Sequence, residues 1–360
     1  MKHKIWIGGA FTLMIFLIIC IVITRESTVT QQPTLVKSSE SSSKSEEKNQ
    51  LEIGITFDSL LLERWQRDRD VFVSVAQDLG AQVNFQNANG VLEDQVEQIE
   101  YFIKNQVDAI VIVAVASGED QSELKEVIAN AQELGIPVIA YDRLILDANV
   151  DCYISFDNEE VGRLMGEHVK EHLGTEGDIL QICGPTADYN VPQIMEGFSE
   201  ALKGTNITIK ETDYAENWMG EKGFSYTSEF LNKNTSLQGI MCGNDSIAGN
   251  AIKALSERRM AGSVCVVGQD ADLDACQRIV EGTQCMTVYK PVEKLAKKAA
   301  QITVTLAKGE DIDVDETIND GSFDVPYEKL TPVAVTKDNM DDVITGKYHE
   351  ESDIYLNVRK

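Results

Sequence analysis

The chain has 360 residues, more than the roughly 250 to 300 at which single hydrophobic cores stop growing, so two lobes are expected. The formal charge is −27, and residues 1–50 hold six Lys/Arg against four Asp/Glu, which leaves −29 on the remainder. So acidic a folded part argues against DNA, RNA or an anionic membrane surface as its partner, because phosphate contacts need clustered Lys and Arg.

Ile5 to Thr24 is an uncharged span of 20 residues with Lys2 and Lys4 before it. That is long enough to cross about 30 Å of hydrocarbon, and the positive-inside rule puts everything after Arg25 outside. The span reads as an uncleaved transmembrane anchor, since a secretory signal has a shorter apolar core and an A-x-A site. The alternative is a lipidated or cleaved N-terminus at Cys20, which the bulky Ile18-Ile19 before that cysteine opposes. Residues 26–50 are rich in Ser, Thr, Lys, Glu and Gln, bury too little to offset ordering entropy, and read as a disordered tether.

From Leu51 onward, apolar runs of strand length alternate with helical patterns. Leu51–Phe57, Ala81–Phe85, Ala109–Val115, Pro137–Tyr141 and Cys152–Phe156 read as strands, with helices near Leu62–Leu79, Val91–Asn105 and Glu119–Leu134. The last helix stops at Gly135 followed by Pro137. Strands Asp178–Cys183, Ile207–Tyr214, Gly239–Cys242, Val264–Gly268 and Cys285–Val288 then interleave with helices near Val191–Leu202, Glu221–Leu231, Asp245–Arg258 and Asp272–Glu281. The pattern is α/β, two doubly wound parallel-sheet lobes. Pro291 starts another helix, Val325–Leu330 reads as an extended return crossing, and the acidic end from Asn339 reads as a surface appendage. Seven cysteines occur without a C-x-x-C pair or a His in ligand spacing, so no metal site, redox motif, disulfide or cofactor is expected.

The residues at strand carboxyl ends, where open α/β sheets place ligands, share one chemistry. They are Glu63-Arg64-Trp65, Asp142-Arg143, Asp188, Asn190, Trp218, Asn244-Asp245, Asp270 and Lys290. Carboxylates, amides, guanidinium and ammonium satisfy hydroxyls that both donate and accept, and Trp faces cover the C–H face of a sugar ring.

The chain from Leu51 to about Lys308 resembles the type I periplasmic sugar-binding proteins, the D-xylose-binding group of bacterial ABC importers above all. The motifs are residues 62–70 (LERWQRDRD), Ala140-Tyr141-Asp142-Arg143, residues 153–158 (YISFDN), residues 268–272 (GQDAD) and residues 286–291 (MTVYKP). The resemblance implies sugar contacts at Arg64, Trp65, Asp142, Arg143, Asn190, Trp218, Asn244, Asp270 and Lys290, though residues 186–192 depart from the family's usual loop. It also implies a three-strand hinge near Phe156–Asn158, Tyr289–Pro291 and Val325–Tyr327. The lobes would then be residues 51–157 plus 291–325 and residues 158–290 plus 326–345, with 346–360 as a tail.

The expected function is an extracellular, membrane-anchored binding protein for D-xylose or a related pentose, not an enzyme. Its partner would be a sensor histidine kinase ectodomain, a role some Gram-positive relatives have, or alternatively an ABC permease. A glycosidase using Asp142 and Asp270 is disfavoured because Arg143 would keep Asp142 ionised. A sugar-responsive repressor would need a helix-turn-helix ahead of Leu51, where the apolar span and tether stand.

Overall fold

The computed structural model describes residues 50–115, 121–233 and 236–358, and the Ile5–Thr24 run, Cys20 and all but the last residue of the tether lie outside them. Among the described residues no helix is long and apolar enough to cross a membrane. The first half of the fold runs β1 (Leu51–Phe57), α1 (Glu63–Asp78), β2 (Ala81–Asn87), α2 (Leu92–Lys104), β3 (Ala109–Ile112), α3 (Ser122–Glu133), β4 (Val138–Tyr141) and β5 (Cys152–Phe156). The second runs α4 (Asn158–Leu173), β6 (Glu176–Cys183), α5 (Asn190–Ala201), β7 (Asn206–Tyr214), α6 (Glu221–Lys233), β8 (Gly239–Cys242), α7 (Asp245–Glu257), β9 (Cys265–Gln269), α8 (Leu273–Glu281) and β10 (Met286–Tyr289). The chain closes with α9 (Val292–Ala307), β11 (Thr317–Asn319), β12 (Asp324–Leu330), β13 (Val333–Val335), α10 (Met340–Val343) and α11 (Glu351–Ile354).

These strands form two sheets, ordered β11-β12-β5-β4-β3-β1-β2 and β13-β10-β9-β8-β6-β7. The pairings are parallel except where β11 meets β12 and β13 meets β10. Parallel strands covered on both faces need continuous apolar runs, which is why β3 (AIVI), β4 (VIAY) and β8 (GIMC) are buried throughout. In the first lobe, Phe72 of α1 and Leu295 of α9 pack on one face, and Phe102 of α2 and Ile128 of α3 on the other. In the second lobe, Met165, Phe198, Phe230 and Ile247, from α4 to α7, share one core.

Three connections pass between the sheets: Asp157 after β5, Lys290-Pro291 after β10, and Thr331-Pro332 between β12 and β13. The first is pinned by the Asp157 carboxylate, which accepts from the Glu160 amide at 3.0 Å and caps α4. The third differs from the expected crossing at Val325–Tyr327. Residues Tyr327–Leu330 instead stay in the first sheet, paired with Tyr153–Phe156 of β5, and Pro332, which lacks an N–H for the ladder, follows them.

The C-terminal segment also departs from the expected surface appendage. Met340, Ile344, Tyr348 and Ile354 are buried against Cys276, Ile279 and Val280 of α8. The Tyr348 ring reaches the other lobe, where the Arg67 guanidinium of α1 lies 4.1 Å from its centroid.

Candidate functional site

The carboxyl ends of both sheets face one cavity of about 320 Å³, counting its open mouth. Arg64, Trp65, Asp142, Arg143, Asn190, Trp218, Asp270 and Lys290 line it, together with Leu62, Asn158, Asp188, Ile194 and Gln269. Asn244 stands outside this lining as the N-cap of α7, where its Oδ1 accepts from the Ile247 amide at 2.9 Å. Its Nδ2 is buried without a hydrogen-bond acceptor among the described residues.

Arg64 is carried in by the first turn of α1 and is 2% exposed. Its Nη2 lies 2.9 Å from Asp142 Oδ1, its Nε 3.3 Å from Asp68 Oδ2, and its Nη1 4.0 Å from Asp270 Oδ1 across the cleft. Burial, the largest single influence, works against the guanidinium, but Asp142, Asp68 and Asp270 together outweigh it and hold the group charged. Asp142 sits at the end of β4 with φ 65°, a conformation non-glycine residues rarely hold without functional reason. Burial would raise its carboxyl, yet Arg64, Lys290 and Arg143 hold it below its ordinary range, so it is an acceptor. Its backbone carbonyl accepts from Ser155 Oγ at 2.7 Å, Asn190 Nδ2 at 3.1 Å and Tyr153 Oη at 3.2 Å, which fixes the turn that presents Arg143.

Arg143 donates from Nη1 to Asp58 Oδ2 and to the Ala114 carbonyl, both at 2.7 Å, and its Nε lies 2.7 Å from Asp188 Oδ2. In the second lobe, Asp188 accepts from Trp218 Nε1 at 3.1 Å, and Asp270 lies 2.8 Å from Lys290 Nζ. The Trp218 ring occupies a slot that only glycine leaves open: a Cβ on Gly184 would stand 2.4 Å from it. Asp270 and Trp218, like Asp142, carry positive φ, at 99° and 56°.

Several of these ion pairs are close in distance but outside hydrogen-bond geometry. Arg64 Nη2, Arg143 Nε and Asp270 Oδ1 have no hydrogen-bond partner among the described residues, nor have Trp65 Nε1 and Gln269 Oε1. The first three are charge-paired within 2.9 Å, but Trp65 Nε1 and Gln269 Oε1 have neither kind of partner among the described residues, and buried polar atoms are normally satisfied, so the lining can bond a polar guest.

A profile of the periplasmic binding protein domain matches residues 53–311. The chain is 40% identical over 311 residues to the D-xylose-binding periplasmic proteins of Escherichia coli (strain K12) and Haemophilus influenzae, with 85% of this chain covered in both cases and 93% and 92% of theirs. The chain belongs to the type I periplasmic sugar-binding proteins. An ABC transporter solute-binding protein from Clostridium phytofermentans, solved with bound β-D-glucose, superposes with a TM-score of 0.76 at 27% identity, covering 84% of this chain and 99% of that one.

In this family the task is to bind a solute, not to transform it, and the arrangement fits. The carboxylates of Asp142 and Asp270 are each paired with a cation. Sequence reasoning placed Asp188 at a strand end without assigning it a contact, and gave no role to Gln269. Asp188 was findable, since the 3.0 Å bond from the Asn190 amide to its Oδ1 is the short-range turn that an Asp-x-Asn segment predicts. Gln269 lies one residue beyond the expected Val264–Gly268 strand, and its side chain is held by a 2.6 Å bond to the Gly243 carbonyl, which no local pattern encodes.

Proposed function

We propose that the protein is an extracytoplasmic binding protein for an aldopentose, D-xylose, which it encloses between its lobes. The observation that carries this is the charge balance of the cavity. Arg64, Arg143 and Lys290 are each paired with carboxylates, Asp142, Asp188 and Asp270 on the lining and Asp58 and Asp68 off it, so no cation is left over for an anionic guest and the lining favours a neutral one rich in hydroxyls. Arg64, Trp65, Asp142, Arg143, Asn190, Trp218, Asp270 and Lys290 are the proposed contacts, and Asn244 joins them through its unpartnered Nδ2. The similarity to D-xylose-binding proteins supports the choice of pentose. Isothermal titration tests it: micromolar or tighter binding of D-xylose, about −8 kcal/mol or better, is expected. Binding of ribose or glucose with no heat from xylose would overturn the assignment.

Delivery to an ABC permease is one output of such a protein. Presentation of the closed form to a sensor histidine kinase is the reading favoured by the uncharged Ile5–Thr24 run. A retained helix would hold the domain beside a fixed membrane partner at an effective concentration on the order of mM. Co-purification from detergent-solubilised membranes, with and without xylose, separates them. A permease recovered without a kinase removes the sensor reading.

A further inference from the structure

The second sheet has a different cluster at the opposite end from the cavity. Cys265 opens β9, Cys285 immediately precedes β10, and His168 stands in the C-terminal half of α4, which packs on both strands. The cavity is built from strand carboxyl ends, whereas these cysteines stand at amino ends. One ligand atom from each residue, two Sγ and an imidazole nitrogen, lies within 4.8 Å of the other two. Cys265 is buried and the other two are half-buried, so an ion has a way in from solvent.

We propose that His168, Cys265 and Cys285 form a binding site for a thiophilic divalent cation, Zn²⁺, that clamps α4 to the edge of β9 and β10. A tetrahedral Zn²⁺ holds thiolate sulfur at about 2.3 Å and imidazole nitrogen at about 2.0 Å. That spaces ligand atoms by about 3.5 to 3.8 Å, so the three side chains need to close by roughly an ångström, which rotamer adjustment supplies. The exposed His172 follows His168 by four residues, on the same face of α4, and its charge acts on Cys285. It leaves the fourth position to itself or to water.

A metal takes both sulfurs as thiolates, so binding the ion releases the protons they carry. The six described cysteines are free, and among them only Cys265 and Cys285 join a histidine in such a group.

The test uses the full chain in detergent, reduced and free of air, titrated with Co²⁺ as a spectroscopic stand-in and then with Zn²⁺. One equivalent of Co²⁺ should give the visible and sulfur-to-metal absorption of a tetrahedral thiolate site, and Zn²⁺ should bleach it. Cys265→Ser/Cys285→Ser should abolish the signal. His168→Ala, a half-exposed helix position that leaves the core intact, should weaken binding by on the order of a hundredfold, since even outer-shell changes cost about 10- to 100-fold. Cys20→Ser should leave it unchanged. D-Xylose affinity should be the same in every variant, which shows that each is folded. No thiolate absorption from the wild type would overturn the proposal, and so would a signal that survives both cluster variants. Rapid closure of a Cys265–Cys285 disulfide in air, with no metal uptake after reduction, would also overturn it and assign the pair to redox chemistry.

Discussion

Arg143 Nε of the first lobe lies 2.7 Å from Asp188 Oδ2 of the second. That carboxylate also accepts the Trp218 indole N–H at 3.1 Å and the Asn190 amide at 3.0 Å, so one first-lobe cation is tied to two second-lobe residues proposed to touch the sugar. Closure of the lobes on a sugar, as proposed, would assemble the site as well as cover it.

Arg143→Ala is expected to abolish measurable D-xylose binding while the fold persists. The substitution strands Asp58 and Asp188, and truncating one partner of a buried charge pair at a binding site costs about 2 to 5 kcal/mol in affinity, roughly thirtyfold or more. Calorimetry gives the affinity and circular dichroism the fold. Unchanged affinity would make Arg143 a purely structural ion pair.

Gly184→Ala should displace the Trp218 ring, because the new Cβ falls 2.4 Å from it, and should strain the bond from its Nε1 to Asp188. Loss of one aromatic face is worth about 1 kcal/mol, so a drop of several-fold in affinity is expected. The tryptophan emission should shift with it. An unshifted spectrum with reduced affinity would show that the ring is not the cause.

How much of this was legible in the sequence follows from which interactions are local. β1, β5 and β8 have the bounds that their apolar runs predict, and Asp142-Arg143 was recognisable because it ends such a run. β11 was not legible because two of its three residues are exposed and it shows no apolar run, although its partner β12 follows closely, and β13 because its three residues take their place from β10, far back in the chain. The burial of Tyr348 and Ile354 escaped for the same reason, since an acidic, irregular segment hides two apolar residues that need α8 to receive them. Asn158 starts α4, yet its 3.0 Å bond to Asn190 Oδ1 exists only because α4 and α5 pack side by side. Cys265 and Cys285 belong to adjacent strands, but His168 meets them only through the packing of α4.

That packing suggests a stability prediction. Gly162 and Gly197 let α4 and α5 approach so closely that a Cβ on either would fall 1.9 Å from a backbone carbonyl, of Ile194 and Glu159 respectively. Neither oxygen is the end of a flexible side chain, so the helices themselves must separate. Gly197→Ala should cost about 1 to 3 kcal/mol in a thermal or urea melt. It should also weaken xylose binding by loosening Asn158 and Asn190. A variant as stable as the wild type would mean that the helices slide at little cost.

The pH dependence of stability follows from Asp245, buried at the start of α7. Its Oδ1 accepts from Gln284 Nε2 at 2.8 Å, and its Oδ2 from Thr287 Oγ1 at 2.7 Å and the Asp272 amide at 3.2 Å. Burial, against the pull of Arg278, pushes this carboxyl up to about 7, and burial likewise raises Asp68 to about 6. An unfolded Asp titrates near 3.9, so between about pH 4 and pH 7 the native state holds a proton that the unfolded chain has released. Stability contributed by Asp245 is thus fully present below about pH 4 and is lost as pH rises towards 7. Asp142, whose carboxyl is held low, acts in the opposite sense: its contribution is lost only as pH falls below the ordinary carboxylate range. Comparing Asp245→Asn with the wild type reports on Asp245 together with Asp272, because the amide cannot titrate and the Asp245 charge is one of the causes, after burial, that raise the Asp272 carboxyl. Across pH 4 to 7 the variant should gain stability relative to the wild type as pH rises, by at most about 1.4 kcal/mol per unit. Urea melts at unit pH intervals measure this, and a difference that stays flat from pH 4 to 8 would show that Asp245 is ionised in the native protein throughout.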